Sequence, residues 1–372
     1  MTPHRRLHIV HTEASCGWGG QEIRILEESR GLIARGHRVT IVAPASSNIF
    51  KRAAQWGVPA VALPLTKKRL GPLLALRRWL AVHAHDIDVL NTHSSTDSWL
   101  AALAVRMLPG AARLPIVRTR HISAPVHASA ANRWLYARVA RHVVTTGEQL
   151  RRELIDNLGV ASEAATSIPT GIDTTRFAPG DKLAARAQVG LAADAFWVGI
   201  VATLRSWKGH SYLLEALAAL PDSIRLVIVG DGPQREALRQ KVAALGLEAR
   251  VHFAGEQKDV APWLRALDVF ALPSYANEGV SQSVMQAMAS GLPVVTTAVG
   301  SMRDIIDNRH TGLLVTPKDA TALADAIAAL HADPAAAQLL GERAHAFALE
   351  RCGLSRMLDR MESIFMSAAR AR

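Results

Sequence analysis

Two successive series of short apolar segments alternating with helical segments are the feature that most limits how this 372-residue chain can fold. At its start, the apolar run Leu7–Val10 is followed by a glycine-rich loop, an amphipathic helical segment over residues 22–35 and a second apolar run, Arg38–Ala43. A strand, a helix and a strand in this length form a βαβ unit with parallel strands covered on both faces. The sequence therefore predicts an α/β protein built on parallel sheets.

The alternation occurs twice, with a polar, turn-rich stretch over Pro169–Gly180 between the two series. The first series ends near Val143–Thr146, and the second starts at Phe196–Ala202. Because single hydrophobic cores stop growing at roughly 250 residues, we expect two doubly wound, Rossmann-like domains. The expected boundaries are 1–175, 176–353 and a final helix over 354–372 that could pack on either domain.

Composition excludes several other classes of protein. With 49% apolar and 20% charged residues, the chain is neither disordered nor a multispanning membrane protein. The apolar stretch Trp99–Val105 is far shorter than the ~20 residues of a membrane span, and residues 1–10 contain no apolar core of a signal peptide. Cys16 and Cys352 match no metal or disulfide spacing, so we expect a reduced, cytoplasmic environment.

The positive charge is confined to one half of the chain. Residues 1–178 contain 23 basic and 12 acidic side chains, whereas residues 179–372 contain 20 of each. The first half is therefore predicted to face an anionic membrane, a nucleic acid or a phosphorylated substrate, and a merely solubilising surface is the alternative.

Two loops that follow the first strands of their domains contain groups suited to anions. Ligands of open α/β sheets bind at the carboxyl ends of the strands. The backbone N–H groups of Gly19 and Gly20, which open the first helix, could bind an anion there, although a tight turn alone is the alternative. In the second domain, Arg205 and Lys208 form a suitable clamp for a diphosphate.

The segment 273–295 is the most informative part of the sequence. Glu278 follows an apolar strand, and a helix is predicted to begin near Val280 or Ser281. The free N–H groups of that helix would lie beside Glu278, where they can bind phosphate or sugar oxygens, and Gln286 lies about two turns after Glu278. A capping role for Glu278 is the alternative.

At these residues the chain resembles the retaining nucleotide-sugar glycosyltransferases of family GT4, which have the GT-B fold. The order and spacing of several motifs support the resemblance over nearly the whole chain. It implies two facing Rossmann-like domains with a deep interdomain cleft, the first binding the acceptor and the second the nucleotide sugar. The motifs are the first glycine-rich loop with Arg35–Val42, Gly171–Phe177, Lys208–Gly209, Gly230–Pro233 and Pro273–Val295.

The resemblance also assigns roles to individual residues. It implies that Glu278 contacts donor-sugar hydroxyls and that Arg205 and Lys208 hold the diphosphate. Thr203 stands where the family often has an arginine, and Gln286 replaces the second acid of the E-x7-E element, so it can bind ribose hydroxyls only without charge. The implied donor-binding set is Gly19, Gly20, Thr203, Arg205, Lys208, Val280, Ser281 and Gln286.

Two further features bear on the implied site: a candidate catalytic histidine and a segment that resembles a metal-binding motif. By resemblance, His121 contacts the transferred sugar near the reacting centre and is catalytic together with Glu278, whereas His93 is a weaker candidate and a structural role is the alternative. The segment Asp86–Asp88 resembles a metal-binding DxD motif in letters only. The resemblance implies that the enzyme uses no metal or cofactor, takes a UDP- or GDP-sugar as co-substrate, and retains configuration by front-face attack.

A basic segment in the first domain predicts contact with a membrane. Five cations lie among leucines and Trp79, a composition typical of an interfacial amphipathic helix, and each cation near an anionic surface contributes roughly 1 kcal/mol. We expect peripheral binding to the inner face of the cytoplasmic membrane and a saccharide or lipid-linked acceptor, although an ordinary surface helix is the alternative. The cations are Lys67, Lys68, Arg69, Arg77 and Arg78.

The preferred function is therefore glycosyl transfer in the synthesis of a bacterial surface glycan, such as lipopolysaccharide or capsule. A GT-B sugar-nucleotide epimerase and a non-catalytic nucleotide- or nucleic-acid-binding protein are the alternatives. Aromatic residues make up only 5% of the chain and no nucleic-acid motif is present, so we expect no nucleic-acid partner.

Overall fold

The computed structural model describes residues 5–110, 113–121, 126–276 and 278–370. The chain divides into two compact units: unit 1 is Met1–Gly171 with Ser355–Arg372, and unit 2 is Ile172–Leu354. The final helix thus belongs almost entirely to unit 1, although it follows unit 2 in sequence.

Unit 1 contains a seven-stranded sheet in which every neighbouring pair is parallel, with strand order β3-β2-β1-β4-β5-β6-β7. The order reverses beside β1, as in a doubly wound sheet. The strands are β1 His8–Thr12, β2 Arg38–Ala43, β3 Ala60–Ala62, β4 Val89–Thr92, β5 Ile116–Arg120, β6 Ala140–Thr145 and β7 Ala165–Ser167.

Helices cover both faces of this sheet because successive strand residues point to opposite sides. In β2, Ile41 packs in one apolar cluster with residues of the first and second helices, and Val42 packs in another with residues of the third and fourth. The helices of unit 1 are α1 Gly20–Ala34, α2 Asn48–Ala53, α3 Leu70–His83, α4 Ser95–Arg106, α5 Ala130–Arg133, α6 Glu148–Leu158 and α14 Leu354–Arg370.

Unit 2 repeats this architecture with a six-stranded parallel sheet in the order β10-β9-β8-β11-β12-β13. Its strands are β8 Phe196–Val201, β9 Ile224–Val229, β10 Val251–Gly255, β11 Val269–Leu272, β12 Val294–Thr297 and β13 Leu313–Val315. Its helices are α7 Lys182–Val189, α8 His210–Ala218, α9 Arg235–Ala244, α10 Ala261–Arg265, α11 Gln282–Ala289, α12 Ala320–Ala332 and α13 Pro334–Arg351.

Helix α14 is attached to unit 1 by an apolar stripe and by charges at its edge. Met361 and Phe365 are fully buried, and Leu358 packs against Gly31, where any larger side chain would clash with it. Arg35 forms a hydrogen-bonded ion pair with Glu362 at 2.9 Å. These contacts explain why the last helix is part of the unit that the chain left about 180 residues earlier.

The prediction of two parallel-sheet, Rossmann-like domains is confirmed. In each sheet the loops that follow the strands meet at the carboxyl edge, because all strands run in the same direction. The predicted donor-binding and catalytic residues follow strands of one sheet or the other, so we expect them at these two edges, one in each unit.

Candidate functional site

An ion pair joins two of the predicted residues of unit 2. The Nζ atom of Lys208 lies 2.5 Å from Oε1 of Glu278, and the Ser274 hydroxyl donates to the same oxygen at 2.6 Å. Lys208 follows β8 and Glu278 follows β11, which are neighbouring strands. Glu278 is only 4% exposed, so its charge is stabilised by these donors rather than by bulk water.

Two glycines allow the loops after β8, β11 and β12 to approach one another around this pair. Gly209 has a φ of +80°, and a Cβ atom there would clash with the carbonyl oxygen of Pro273. Gly300, after β12, has a φ of +61°, and a Cβ atom there would clash with the carbonyl oxygen of Glu278. Glycine is required at both positions by conformation and by space.

Arg205 and Thr203 lie in the same loop as Lys208, and both are exposed. The guanidinium carbon of Arg205 is 5.2 Å from the ring centroid of Trp207. Such stacking occupies the face of the guanidinium and leaves its in-plane N–H donors available to a ligand. Arg205 is thus a second cation of this loop, and its exposed N–H donors are suited to phosphate oxygens.

Helix α11 starts where the sequence predicted. Ser281 is its N-cap residue, and Gln282 is its first residue. The first N–H groups of a helix have no partner within the helix, and the positive end of the dipole lies there. Val280 and Ser281 are buried at this end, and Gln286 is half-buried one turn further on. Ser281 occupies the N-cap position without a side-chain cap hydrogen bond, and Glu278 lies three residues before it.

His210 is a titratable neighbour of this site that sequence reasoning missed. It is the first residue of α8, is 2% exposed and lies two residues after Lys208. Burial, with the nearby positive charge of Lys208, lowers its pKa to about 4. The imidazole is therefore neutral near pH 7 and does not compete with Lys208 for an anion.

In unit 1, the predicted glycines open α1 beside a group of acids. Gly19 is the N-cap residue, and Gly20 is the first residue of the helix. A Cβ atom on Gly19 would lie 3.8 Å from the Oε2 atom of Glu22. Burial and the charge of Asp97 raise the pKa of nearby Glu13 to about 8. Carboxyl groups at this place favour hydroxyl groups over phosphates, a feature that the glycine pattern alone did not reveal.

The two candidate histidines of unit 1 contact each other directly. Nδ1 of His93, which follows β4, lies 2.9 Å from Nε2 of His121, which follows the adjacent strand β5. Burial and neighbouring positive groups, including Arg118, hold both pKa values well below the ordinary range of histidine. His93, a weaker candidate from the sequence, is therefore a direct hydrogen-bond partner of His121.

In the predicted membrane-binding segment, most of the basic side chains are exposed, whereas several leucines are buried. Lys67, Lys68 and Arg69 are exposed in the loop before α3, and Arg78 is exposed on the helix, whereas Arg77 is half-buried. The leucines behave differently, because Leu65, Leu76 and Leu80 are fully buried in the core of unit 1. The apolar half of the predicted interfacial helix is thus largely used by the protein itself.

The segment that resembles DxD lies at the amino end of β4, opposite the candidate site. Asp88 accepts a hydrogen bond from the backbone N–H of His8 at 2.8 Å and pairs with Arg5. The described residues contain no group of three or more His, Cys, Asp or Glu side chains placed to hold a metal ion. Among the described helices, none has the length and apolarity that crossing a bilayer requires.

A cavity of about 650 Å³ in unit 1 also lies away from the predicted residues. Its lining includes Leu114 and Ala140, at the amino ends of β5 and β6, and residues of α14. The exposed Arg113, Arg138 and Arg141 surround it. It is therefore located at the edge of the sheet opposite His93 and His121.

Comparison with known proteins identifies the family of both units. Residues 18–176 match the family model "Glycosyltransferase Family 4", and residues 195–333 match "Glycosyl transferases group 1". HepE of Anabaena, solved in complex with UDP-glucose, is 26% identical, with a TM-score of 0.83 over 97% of this chain and all of its own. The GT-B fold expected from the sequence is thereby confirmed.

Curated relatives extend over most of the chain. A D-inositol 3-phosphate glycosyltransferase of Xylanimonas cellulosilytica is 29% identical over 95% of this chain and 93% of its own length. The GDP-mannose-dependent alpha-(1-6)-phosphatidylinositol monomannoside mannosyltransferase of Mycolicibacterium smegmatis is 30% identical over 87% of this chain and 89% of its own length. The chain therefore belongs to glycosyltransferase family 4 and is a glycosyltransferase.

Proposed function

We propose that this enzyme transfers a sugar from a UDP- or GDP-sugar to a saccharide or lipid-linked acceptor, with retention of configuration and without a metal. The observation that carries the proposal is the ion pair of Lys208 with Glu278, next to the N-terminal end of α11. A diphosphate needs cations and N–H donors, and a sugar needs a carboxylate that accepts from its hydroxyls. Both kinds of group meet at this edge of unit 2.

In the proposed reaction, the protein stabilises charge that develops on the leaving diphosphate. An ammonium group has three N–H donors, so Lys208 can bind phosphate oxygens while it remains bonded to Glu278. Arg205 and the N–H groups of Val280 and Ser281 add further donors. The acceptor oxygen bonds to the anomeric carbon of the donor sugar on the face from which the nucleotide leaves. The bond from that carbon to the β-phosphate oxygen breaks, and a β-phosphate oxygen takes the proton of the acceptor hydroxyl. Glu278 and His121 hold the transferred sugar, and Gln286 binds the ribose.

For the acceptor, we propose a molecule that carries negative charge. The two relatives described above are named for an inositol phosphate and a phosphatidylinositol mannoside, both anionic polyols. The excess of basic residues in 1–178 suits such an acceptor, either free or in the inner leaflet of the cytoplasmic membrane. A bacterial surface glycan, such as lipopolysaccharide or capsule, is the class of product that we propose.

A transfer assay with matched lysine variants tests the donor site. UDP-glucose and GDP-mannose are offered with inositol phosphate, phosphatidylinositol vesicles or a lipopolysaccharide core, and release of the nucleoside diphosphate is measured. Because charge-assisted hydrogen bonds contribute about 1.5–3 kcal/mol, Lys208→Ala should weaken binding of the preferred nucleotide by about 10- to 100-fold. Lys182→Ala is the control, since Lys182 pairs with Asp268 at the amino end of β11.

Equal nucleotide affinity in the Lys208 and Lys182 variants would remove Lys208 from the donor site. Interconversion of the donor sugar without release of nucleotide would indicate an epimerase and contradict transfer. Glu278→Gln should reduce turnover in a folded protein, because the amide loses the negative charge that holds Lys208 and the sugar hydroxyls.

A further inference from the structure

Three histidines from three adjacent strands form a continuous hydrogen-bonded row in unit 1. Nδ1 of His11, in β1, lies 2.8 Å from Nε2 of His93, and Nδ1 of His93 lies 2.9 Å from Nε2 of His121. Each pair of neighbouring rings has its centroids 5.1 Å apart. The row starts in the core of the sheet and ends at His121, the residue that we propose contacts the sugar.

The buried end of the row faces a carboxylate. Oε1 of Glu28, on α1, lies 4.0 Å from Nε2 of His11, and its Oε2 lies 3.7 Å from Nε of Arg24. The side chains of all three residues are fully buried. Arg24 is held in turn by the carbonyl oxygen of Ile168 at 2.8 Å. A negative group is therefore fixed behind the row, where it attracts a proton on Nε2 of His11.

Asn91 determines the direction of the hydrogen bonds. The Thr119 hydroxyl donates to Oδ1 of Asn91 at 2.9 Å, which turns the Asn91 amide nitrogen towards Nδ1 of His11 at 3.4 Å. An amide nitrogen can only donate, so Nδ1 of His11 is an acceptor and its proton is on Nε2. It follows that His93 donates through Nε2 to His11, and that His121 donates through Nε2 to His93.

We propose that Glu28, His11 and His93 are positioning residues that hold His121 in the tautomer with its proton on Nε2. Nδ1 of His121 is then the nitrogen without a proton, and it accepts a hydrogen bond from a hydroxyl of the transferred sugar. This inference rests on the proposed function, in which His121 contacts that sugar.

The electrostatics of the row agree with a chain of neutral rings. Burial lowers the pKa of His11 to about 3, and burial also lowers the values of His93 and His121 well below the ordinary range. A neutral imidazole has one donor and one acceptor, as each link of such a chain requires, whereas a protonated ring has two donors. Burial raises the pKa of Glu28 to about 7 against the opposing effect of Arg24, so Glu28 is a carboxylate at pH 8.

Nuclear magnetic resonance of the full chain labelled with ¹⁵N-histidine tests the tautomers directly. At pH 8, long-range ¹H–¹⁵N correlations of the unmodified protein should show the proton on Nε2 in His11, His93 and His121. In His93→Leu, the row is interrupted, and His121 should become a mixture of tautomers. Because misorientation at a reacting centre is costly, kcat should fall on the order of 10- to 100-fold while the donor KM stays within about twofold.

Two further variants separate a positioning role from a merely structural one. His93→Gln retains a donor and an acceptor, so it should recover part of the lost kcat. Ser29→Ala changes a buried side chain of α1 next to Glu28 but outside the row, and it should leave kcat and the spectrum unchanged.

Failure of this inference and failure of the proposed function give different results. A proton on Nδ1 of His121 in the unmodified protein would overturn the row, whether or not any variant folds and whatever the enzyme transfers. An unchanged kcat in folded His93→Leu would overturn it as well. Full activity of His121→Ala would instead remove His121 from the proposed reaction, and the positioning role would fall with it.

Discussion

At the scale of single residues, ion pairing and burial determine the electrostatics of the proposed site in unit 2. The buried Glu278 carboxylate accepts hydrogen bonds from Lys208 and from the Ser274 hydroxyl. His210, which is also buried and lies beside Lys208, is neutral because burial and a positive neighbour both oppose its protonation. At the proposed donor site, the pair of Lys208 and Glu278 thus lies next to an imidazole that carries no charge near pH 7.

The depressed pKa of His210 predicts a contribution to acid sensitivity. The unfolded chain takes up a proton on this histidine below pH 6.5, whereas the folded chain does so only near pH 4. Stability is therefore lost as the pH falls from about 6.5 towards 4. In His210→Gln, the slope of the unfolding free energy against pH should decrease by up to about 1.4 kcal/mol per pH unit in this range.

Urea unfolding followed by tryptophan fluorescence at several pH values measures this slope. His85→Gln is the matched control, because the His85 side chain is 74% exposed. If His210→Gln has the same slope as the unmodified protein, the imidazole is charged in the fold and its burial does not act as described.

At the scale of elements, the geometry of the proposed donor site depends on how closely the loops after β8 and β11 approach each other. Gly209 contacts the backbone of Pro273, and the backbone N–H of Tyr275 donates to the carbonyl oxygen of Trp207 at 2.9 Å. Gly209→Ala should separate these loops and move Lys208 away from Glu278. We expect nucleotide affinity to fall at least about tenfold, the loss of roughly one charge-assisted hydrogen bond.

Gly246→Ala distinguishes this effect from backbone strain alone. Gly246 also has a positive φ, of +68°, but nothing lies within 4 Å of the position of a Cβ atom there. Both variants should lose stability, on the order of 1 kcal/mol from the strained conformation. Calorimetric titration with UDP and GDP should show weaker binding only in Gly209→Ala, and an equal loss in both variants would contradict the role of the loop contact.

Elements were predicted well wherever the physical signal is local. Strand β2 has the predicted bounds, Arg38–Ala43, because a short apolar run rich in β-branched residues favours a buried strand. Strand β7, Ala165–Ser167, was missed because it is only three residues long and has a single apolar side chain, Ala165, followed by the half-buried Thr166 and Ser167. The bond between Lys208 and Glu278 joins positions 70 residues apart, and the histidine row joins three strands, so neither has a local sequence signal.

At the scale of the whole molecule, the positive charge and the apolar surface have to be considered together. The sequence associated the cations near α3 with leucines, but Leu76 and Leu80 belong to the core of unit 1. Leu70 and Val82, at the two ends of α3, remain 68% and 65% exposed. Binding to a membrane through this helix would then be mainly electrostatic, with a small apolar contribution.

This balance predicts how the protein should bind to vesicles. Replacing Lys67, Lys68 and Arg69 by serine should weaken binding to anionic phosphatidylserine vesicles by about 3 kcal/mol, or about 100-fold in partition coefficient, since each cation contributes roughly 1 kcal/mol. The same replacement at three exposed cations of unit 2, Lys182, Arg239 and Lys258, should have a much smaller effect.

Salt dependence tests the same electrostatic contribution. Because salt shortens the Debye length and so screens electrostatic attraction, the partition coefficient of the unmodified protein should decrease strongly when NaCl is raised from about 0.05 to about 0.5 M. If neither the triple replacement nor the added salt changes the partition coefficient, this segment is not a membrane contact. The basic surface of unit 1 would then be available to bind a soluble anionic acceptor.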